Sequence, residues 1–144
     1  MTNHWFTYRV RVQPHHTDYG GVVWHGTYIQ WMETARVDCL RETGINFEEL
    51  VSLGYDLPVV DLSVRYRRPL TLGMTASVKT RLAPIKGVRL NWLYEIEADP
   101  GHLCLTGQVS LVPVDVAKRQ IVRRLPSTLA ATFDKIEAYF KNGV

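Results

Sequence analysis

The sequence predicts an α+β domain in which one long helix lies against a single antiparallel sheet. Three observations carry this. An apolar stripe at spacings of three and four runs through Tyr28, Ile29, Met32, Ala35, Cys39 and Leu40, the pattern of a helix seated on something flat. From Leu57 onward the period changes to two, which is the alternation of half-buried strands. The turns between those strands are short, so neighbours run antiparallel. At 144 residues the chain reads as one domain spanning 1–144, without repeat, linker or low-complexity segment, long enough to bury roughly two thirds of its unfolded surface.

Taken in order, Trp5 to Val12 is a first strand, with Phe6, Tyr8, Val10 and Val12 on one side and Thr7, Arg9 and Arg11 on the other. The long helix follows, and Gly44 ends it. Asn46 to Gly54 reads as a short connecting helix, with Asn46 as cap, Glu49 three positions on and Gly54 closing it. The next strand sets Leu62, Val64 and Tyr66 against Asp61, Ser63, Arg65 and Arg67, and Pro69 ends it. Met74 to Leu82 and Val88 to Glu97 are expected to be half-buried strands. Asp99-Pro100-Gly101 is a turn. Beyond it Leu103, Leu105, Val109 and Leu111 alternate with Thr106, Gln108 and Ser110, and Gly107 is read as a bulge. Lys118 to Arg124 is a last short strand, and Ser127 to Lys141 a closing helix with Leu129, Phe133, Ile136 and Phe140 on one stripe. An open sheet edge needs a cover, so a homodimer formed edge to edge, itself pairing to a tetramer, is expected.

Composition narrows the function. The chain is 46% hydrophobic and 22% charged, with no segment apolar and long enough for a membrane span. Met1-Thr2-Asn3-His4-Trp5 lacks the charged and apolar regions of a secretory signal, so a cytoplasmic location is expected. Cys39 and Cys104 form neither a metal cluster nor a disulfide framework and read as buried free thiols. A net charge of +3 is too mild for a duplex-DNA binder and suits an anionic small ligand better. Trp24, Trp31 and Trp92 fall on separate elements, not on one stacking platform for single strands. His15, His16 and His25 lack the spacing of metal ligands, and no cofactor is implied.

The stretch Thr17-Asp18-Tyr19-Gly20-Gly21-Val22-Val23-Trp24-His25-Gly26 places an acid, two glycines and a histidine just ahead of the long helix. The first turn of a helix carries unpartnered N–H groups and about half a positive charge, so it can polarise a carbonyl oxygen set against it. A carboxylate facing that turn makes half of an acyl-transfer site. The His25 peptide group is the candidate donor to an oxyanion, and Gly26 beside it would let a carbonyl approach the backbone. Tyr28 and Trp24 lie within reach of an acyl group, Tyr28 equally as plain core. Glu33 falls eight residues beyond His25, about 80 degrees around the helix, and reads as structural, paired with Arg36.

Running from Arg11-Val12 through Thr17-Asp18, Gly20-Gly21-Val22-Val23, His25, Tyr28, Glu33 and Ala35-Arg36, the chain resembles the hotdog-fold acyl-CoA thioesterases of the 4-hydroxybenzoyl-CoA thioesterase group. Within that group it is most similar to the branch associated with the bacterial Tol-Pal cluster. Tyr66-Arg67-Arg68-Pro69-Leu70 extends the resemblance. It implies a long central helix wrapped by a curved sheet, and hydrolysis of an acyl-CoA to a carboxylic acid and free CoA. By the same resemblance Asp18 attacks the thioester carbonyl or deprotonates a water. His16 and Pro14 stand where family members commonly carry an acid and an aromatic, so the groups flanking Asp18 differ. Arg65, Arg67, Arg68, Lys86 and Arg89 are candidates, by charge and position, for holding the CoA phosphates. Two other readings stay open: a non-catalytic module that binds acyl thioesters or docks on an acyl carrier protein, and a hotdog hydratase or dehydratase.

Overall fold

The computed structural model describes residues 4–141. Strand β1 (Phe6–Arg11) passes through one 3-10 turn, Pro14–His16, into helix α1 (His25–Glu42). Helix α2 (Phe47–Ser52), strands β2 (Tyr55–Asp56), β3 (Val59–Tyr66), β4 (Thr75–Leu82), β5 (Leu90–Ala98), β6 (His102–Leu111), β7 (Val114–Asp115) and β8 (Gln120–Ile121), and helix α3 (Ser127–Lys141) follow. Five strands form one antiparallel sheet in the order β1-β4-β5-β6-β3, and β2-β7-β8 make a second, small sheet.

Helix α1 has 18 residues, about 27 Å of length, and lies against the inner face of the large sheet. Tyr28, Trp31, Met32, Ala35, Cys39 and Leu40 are buried there. Ile29, expected on that stripe, is exposed, because Trp31 takes the inward direction in its place. The helix stops where Gly44 adopts φ 88°. Ile45 N–H then reaches back to Leu40 O and Gly44 N–H to Arg41 O, the paired bonds that satisfy orphan carbonyls at a helix end. Facing α1, Leu90, Trp92, Tyr94, Ile96 and Ala98 of β5 are buried in strict alternation, and Ala76, Val78, Thr80 and Leu82 of β4 are buried beside them, with Ser77 covered as well. Helix α3 adds Leu129, Phe133, Ile136 and Phe140 to the same core, and its Phe140 ring meets Trp92 edge to face at 5.9 Å.

Four local expectations change. The bulge in β6 is at Cys104, not Gly107: Ile96 pairs with Leu105 and Glu97 with Leu103, leaving Cys104 between them. Gly107 keeps regular pairing with Tyr94 and Val64. Strand β3 lies at the sheet edge, so Leu62 and Tyr66 are exposed despite their apolar alternation. The strand expected over Lys118–Arg124 shrinks to Gln120–Ile121, since both its faces are exposed and only Val114–Asp115 is there to pair with. Asn46 takes the cap position of α2, yet its amide donates to Glu49 Oε1 at 3.3 Å instead of capping the backbone.

Candidate active site

The chain doubles back on itself just before α1. Thr17 bridges to Val23, Asp18 N–H donates to Val22 O at 2.8 Å, and Trp24 N–H donates to His16 O at 3.0 Å. Thr27 Oγ1 donates to the same His16 carbonyl at 3.0 Å, tying the start of the reversal to the first turn of the helix. Asp18 sits at the tip. Its Oδ1 accepts the Gly20 N–H at 2.8 Å, an Asx-type bond within its own turn. That bond anchors one carboxylate oxygen within its own turn without ordering any other segment. Trp24 takes the N-cap position, no side chain caps the helix, and no acid lies in its first turn. The positive end of the α1 dipole is left uncompensated.

Beside this N-terminus opens a cleft of about 290 Å³, lined by Val22, Val23, His25, Tyr28, Tyr66, Arg67, Arg68 and Pro69. Tyr28 is both core and wall, only 4% exposed, with its ring edge to face on Tyr66 at 5.4 Å. Its hydroxyl accepts the Leu70 N–H at 3.2 Å. Tyr66 donates its hydroxyl to His25 O at 2.9 Å. Burial pushes both phenols above their ordinary range. Arg67 and Arg68 are set by the sheet: both backbone N–H groups donate to Cys104 O, at 2.7 and 3.1 Å. The Arg68 guanidinium lies 3.3 Å from His102 Nδ1, and neither arginine enters an ion pair with a carboxylate among the described residues.

The structure thus brings His25, Tyr28, Arg67 and Arg68 together and holds Gly26 and Trp24 at the rim. A Cβ built on Gly26 would stand 2.2 Å from the Trp24 indole, so only glycine fits beneath that ring. Asp18 is exposed and does not line the cleft. Arg65 stands opposite Thr106 on β6, one residue out of phase with Tyr66 and so on the outer face. Lys86 and Arg89 bridge each other in the turn after Leu82, at the end of β4 opposite the cleft. Arg36 pairs with Glu33 at 3.9 Å, as the spacing predicts, and its Nη1 donates to Tyr94 OH at 3.0 Å. Tyr66 is the wall residue that pattern alone missed; its signal was an apolar-face position immediately before Arg67-Arg68. A larger cavity, 820 Å³, opens by Arg81, Leu82 and Phe140 and shares no lining residue with the cleft.

Residues 12–133 match the thioesterase-like superfamily, and the chain belongs to that family. A Synechocystis sp. protein assigned as an esterase is 56% identical over 127 residues, covering 88% of this chain and 76% of the relative. The acyl-CoA thioester hydrolase YbgC of Escherichia coli O6:H1 is 30% identical over 128 residues, covering 89% of this chain and 95% of the relative. Among solved structures, the DHNA-CoA thioesterase of Staphylococcus aureus superposes with a TM-score of 0.84 at 26% identity, covering 97% of this chain and 95% of that one. The fold is the hotdog: one long helix against an antiparallel sheet. Among the described residues no helix is long and apolar enough to cross a membrane.

Proposed function

We propose that the protein hydrolyses an acyl-CoA thioester to a carboxylic acid and free CoA, as a member of the 4-hydroxybenzoyl-CoA thioesterase group. The observation that carries this reading is the uncapped N-terminus of α1 opening on a cleft walled by Tyr28 and Tyr66 and flanked by Arg67 and Arg68. The N–H groups of the first turn receive the oxyanion as the thioester carbonyl carbon becomes tetrahedral. The aromatic walls suit a flat acyl group, and the two arginines suit the phosphates of CoA. Asp18 drives the attack. Either its carboxylate bonds to the carbonyl carbon, giving a mixed anhydride and releasing the CoA thiolate, or it takes a proton from a water that attacks instead. Single turnover in ¹⁸O-labelled water separates the two, since only the anhydride route can leave label in the Asp18 side chain.

The same reading includes a homodimer. Strand β3 is an unpaired edge bearing exposed Val59, Val60, Leu62 and Tyr66, and a second copy pairing there covers them and places its surface beside the cleft. One observation favours a binding module instead: Asp18 stands outside the cleft wall. Free-thiol release from a panel of aromatic, short and long acyl-CoA substrates decides between them. A folded Asp18→Asn protein that loses a hundredfold or more in turnover supports hydrolysis. A wild type inert on the whole panel, or a variant as active as the wild type, supports the binding module.

A further inference from the structure

The bond from Tyr66 to His25 reaches past packing. The carbonyl it meets, His25 O, belongs to the same peptide unit as the N–H of Gly26, and that N–H lies in the uncapped first turn of α1. Donation to the oxygen of an amide draws electron density from its nitrogen and strengthens the N–H on the other side as a donor, the polarisation that runs along hydrogen-bonded chains. Tyr66 comes from the last position of β3, an edge strand otherwise far from α1 in sequence, and the residues directly after it are the two cleft arginines. One hydroxyl therefore links the strand edge, the cationic wall and the helix terminus.

We infer that Tyr66 is a positioning residue: its hydroxyl fixes and polarises the His25–Gly26 peptide, so that the Gly26 N–H is a stronger and better aimed donor to the oxyanion. Tyr66 forms no bond to the reacting atoms in this role. The ring contact with Tyr28 at 5.4 Å holds the phenol in place, and burial keeps it protonated into alkaline solution. The kinetic part of the inference rests on the thioesterase reading; the spectroscopic part does not.

The test is Tyr66→Phe, which keeps the ring against Tyr28 and removes only the donor. In the wild type and the variant two readouts are compared. The first is the amide ¹H and ¹⁵N shift of Gly26 in the labelled protein, without substrate. It moves upfield in the variant as the peptide loses its polarising partner. The second is steady-state turnover on the best acyl-CoA of the panel. The kcat falls roughly tenfold, less than for deleting an oxyanion donor outright, while KM stays within about twofold. The alkaline fall in kcat that follows ionisation of Tyr66 disappears in the variant. A Gly26 amide that does not move overturns the inference, as does a variant whose KM rises while kcat holds. Should the wild type hydrolyse nothing, the thioesterase reading falls, and the Gly26 shift alone still decides the role of Tyr66.

Discussion

Met32 and Gly107 meet across the core: a Cβ placed on Gly107 would stand 3.1 Å from Met32 Cε and 3.2 Å from the backbone oxygen of Ser63. The methionine end can swing aside, but the Ser63 carbonyl belongs to the β3–β6 ladder and cannot. Gly107 thus lets the central helix sit close to the sheet at its middle. Gly107→Ala is expected to cost about 1–2 kcal/mol, the ordinary penalty of overpacking, read as a lower urea midpoint at unchanged slope.

Tyr94 and Arg36 form a buried pair. Arg36 is 8% exposed, and besides Glu33 at 3.9 Å its guanidinium has the Tyr94 hydroxyl at 3.0 Å. Removing that oxygen leaves a desolvated cation with one distant partner. Tyr94→Phe is expected to lower stability by about 2 kcal/mol, and Arg36→Met in the Tyr94→Phe background recovers part of it, since the uncompensated charge is then gone. Chemical denaturation of the wild type, Tyr94→Phe and the double variant checks both steps.

Acid should loosen the reversal before α1. His16 Nδ1 accepts the Gln13 N–H at 2.9 Å, a bond only the neutral ring can accept, and burial, with the neighbouring His15 side chain adding to it, lowers its pKa below the usual 6.5. The unfolded chain takes up this proton first, so stability falls as pH drops below 6.5 and levels off once the folded ring is also charged. His16→Asn keeps an acceptor at that place without a titrating ring. Urea midpoints between pH 7 and 5 are expected to fall less steeply in that variant.

At the alkaline end Cys39 is pushed up to about 12 by burial, with the Glu42 carboxylate adding to it. Its folded pKa lies above its unfolded value of 9.0, so its contribution is complete below pH 9 and is lost as pH rises towards 12. Tyr94 and Tyr28, also raised by burial, steepen the decline. Cys39 should accordingly resist a thiol reagent at pH 8 in the folded protein and react once denaturant is added, with the mass increase mapped to the peptide carrying it.

The two groups of basic residues should separate kinetically. Arg68 lines the cleft, so Arg68→Ala is expected to raise KM for acyl-CoA by about fivefold, the upper end for an exposed charged contact. Arg89→Ala, at the opposite end of the sheet, leaves KM and kcat as they are. Equal effects of the two would place the phosphates across both ends, which only a partner subunit could arrange.

Legibility in the sequence followed burial. Strand β5 and helix α1 repeat their periods against a common core, so their residues announced both element and face. Strand β3 alternates just as cleanly, but it lies at the sheet edge and is covered only at Val64 and, through Tyr28, at Tyr66, so its exposed Leu62 could not be told from a buried one. The motif placed His25 and the helix start correctly because a glycine-rich reversal followed by an apolar stripe has few other solutions. It could not show that Asp18 Oδ1 is held by Gly20, a bond set by a two-residue local geometry, nor could it see Tyr66, forty-one residues from the carbonyl it holds. Lys86 and Arg89 were grouped with the cleft by charge, and charge says nothing about which end of a strand a turn occupies.

The bulge at Cys104 has a use beyond bending β6. Its carbonyl takes the N–H groups of both Arg67 and Arg68, so the extra residue acts as a spacer that sets where strand β3 ends and which way the next two side chains turn. Deleting Cys104 would restore a regular ladder, but it would remove a buried core residue together with the carbonyl that orients the cationic pair. This single inserted residue is the indexing pin between the sheet and the cationic edge of the cleft.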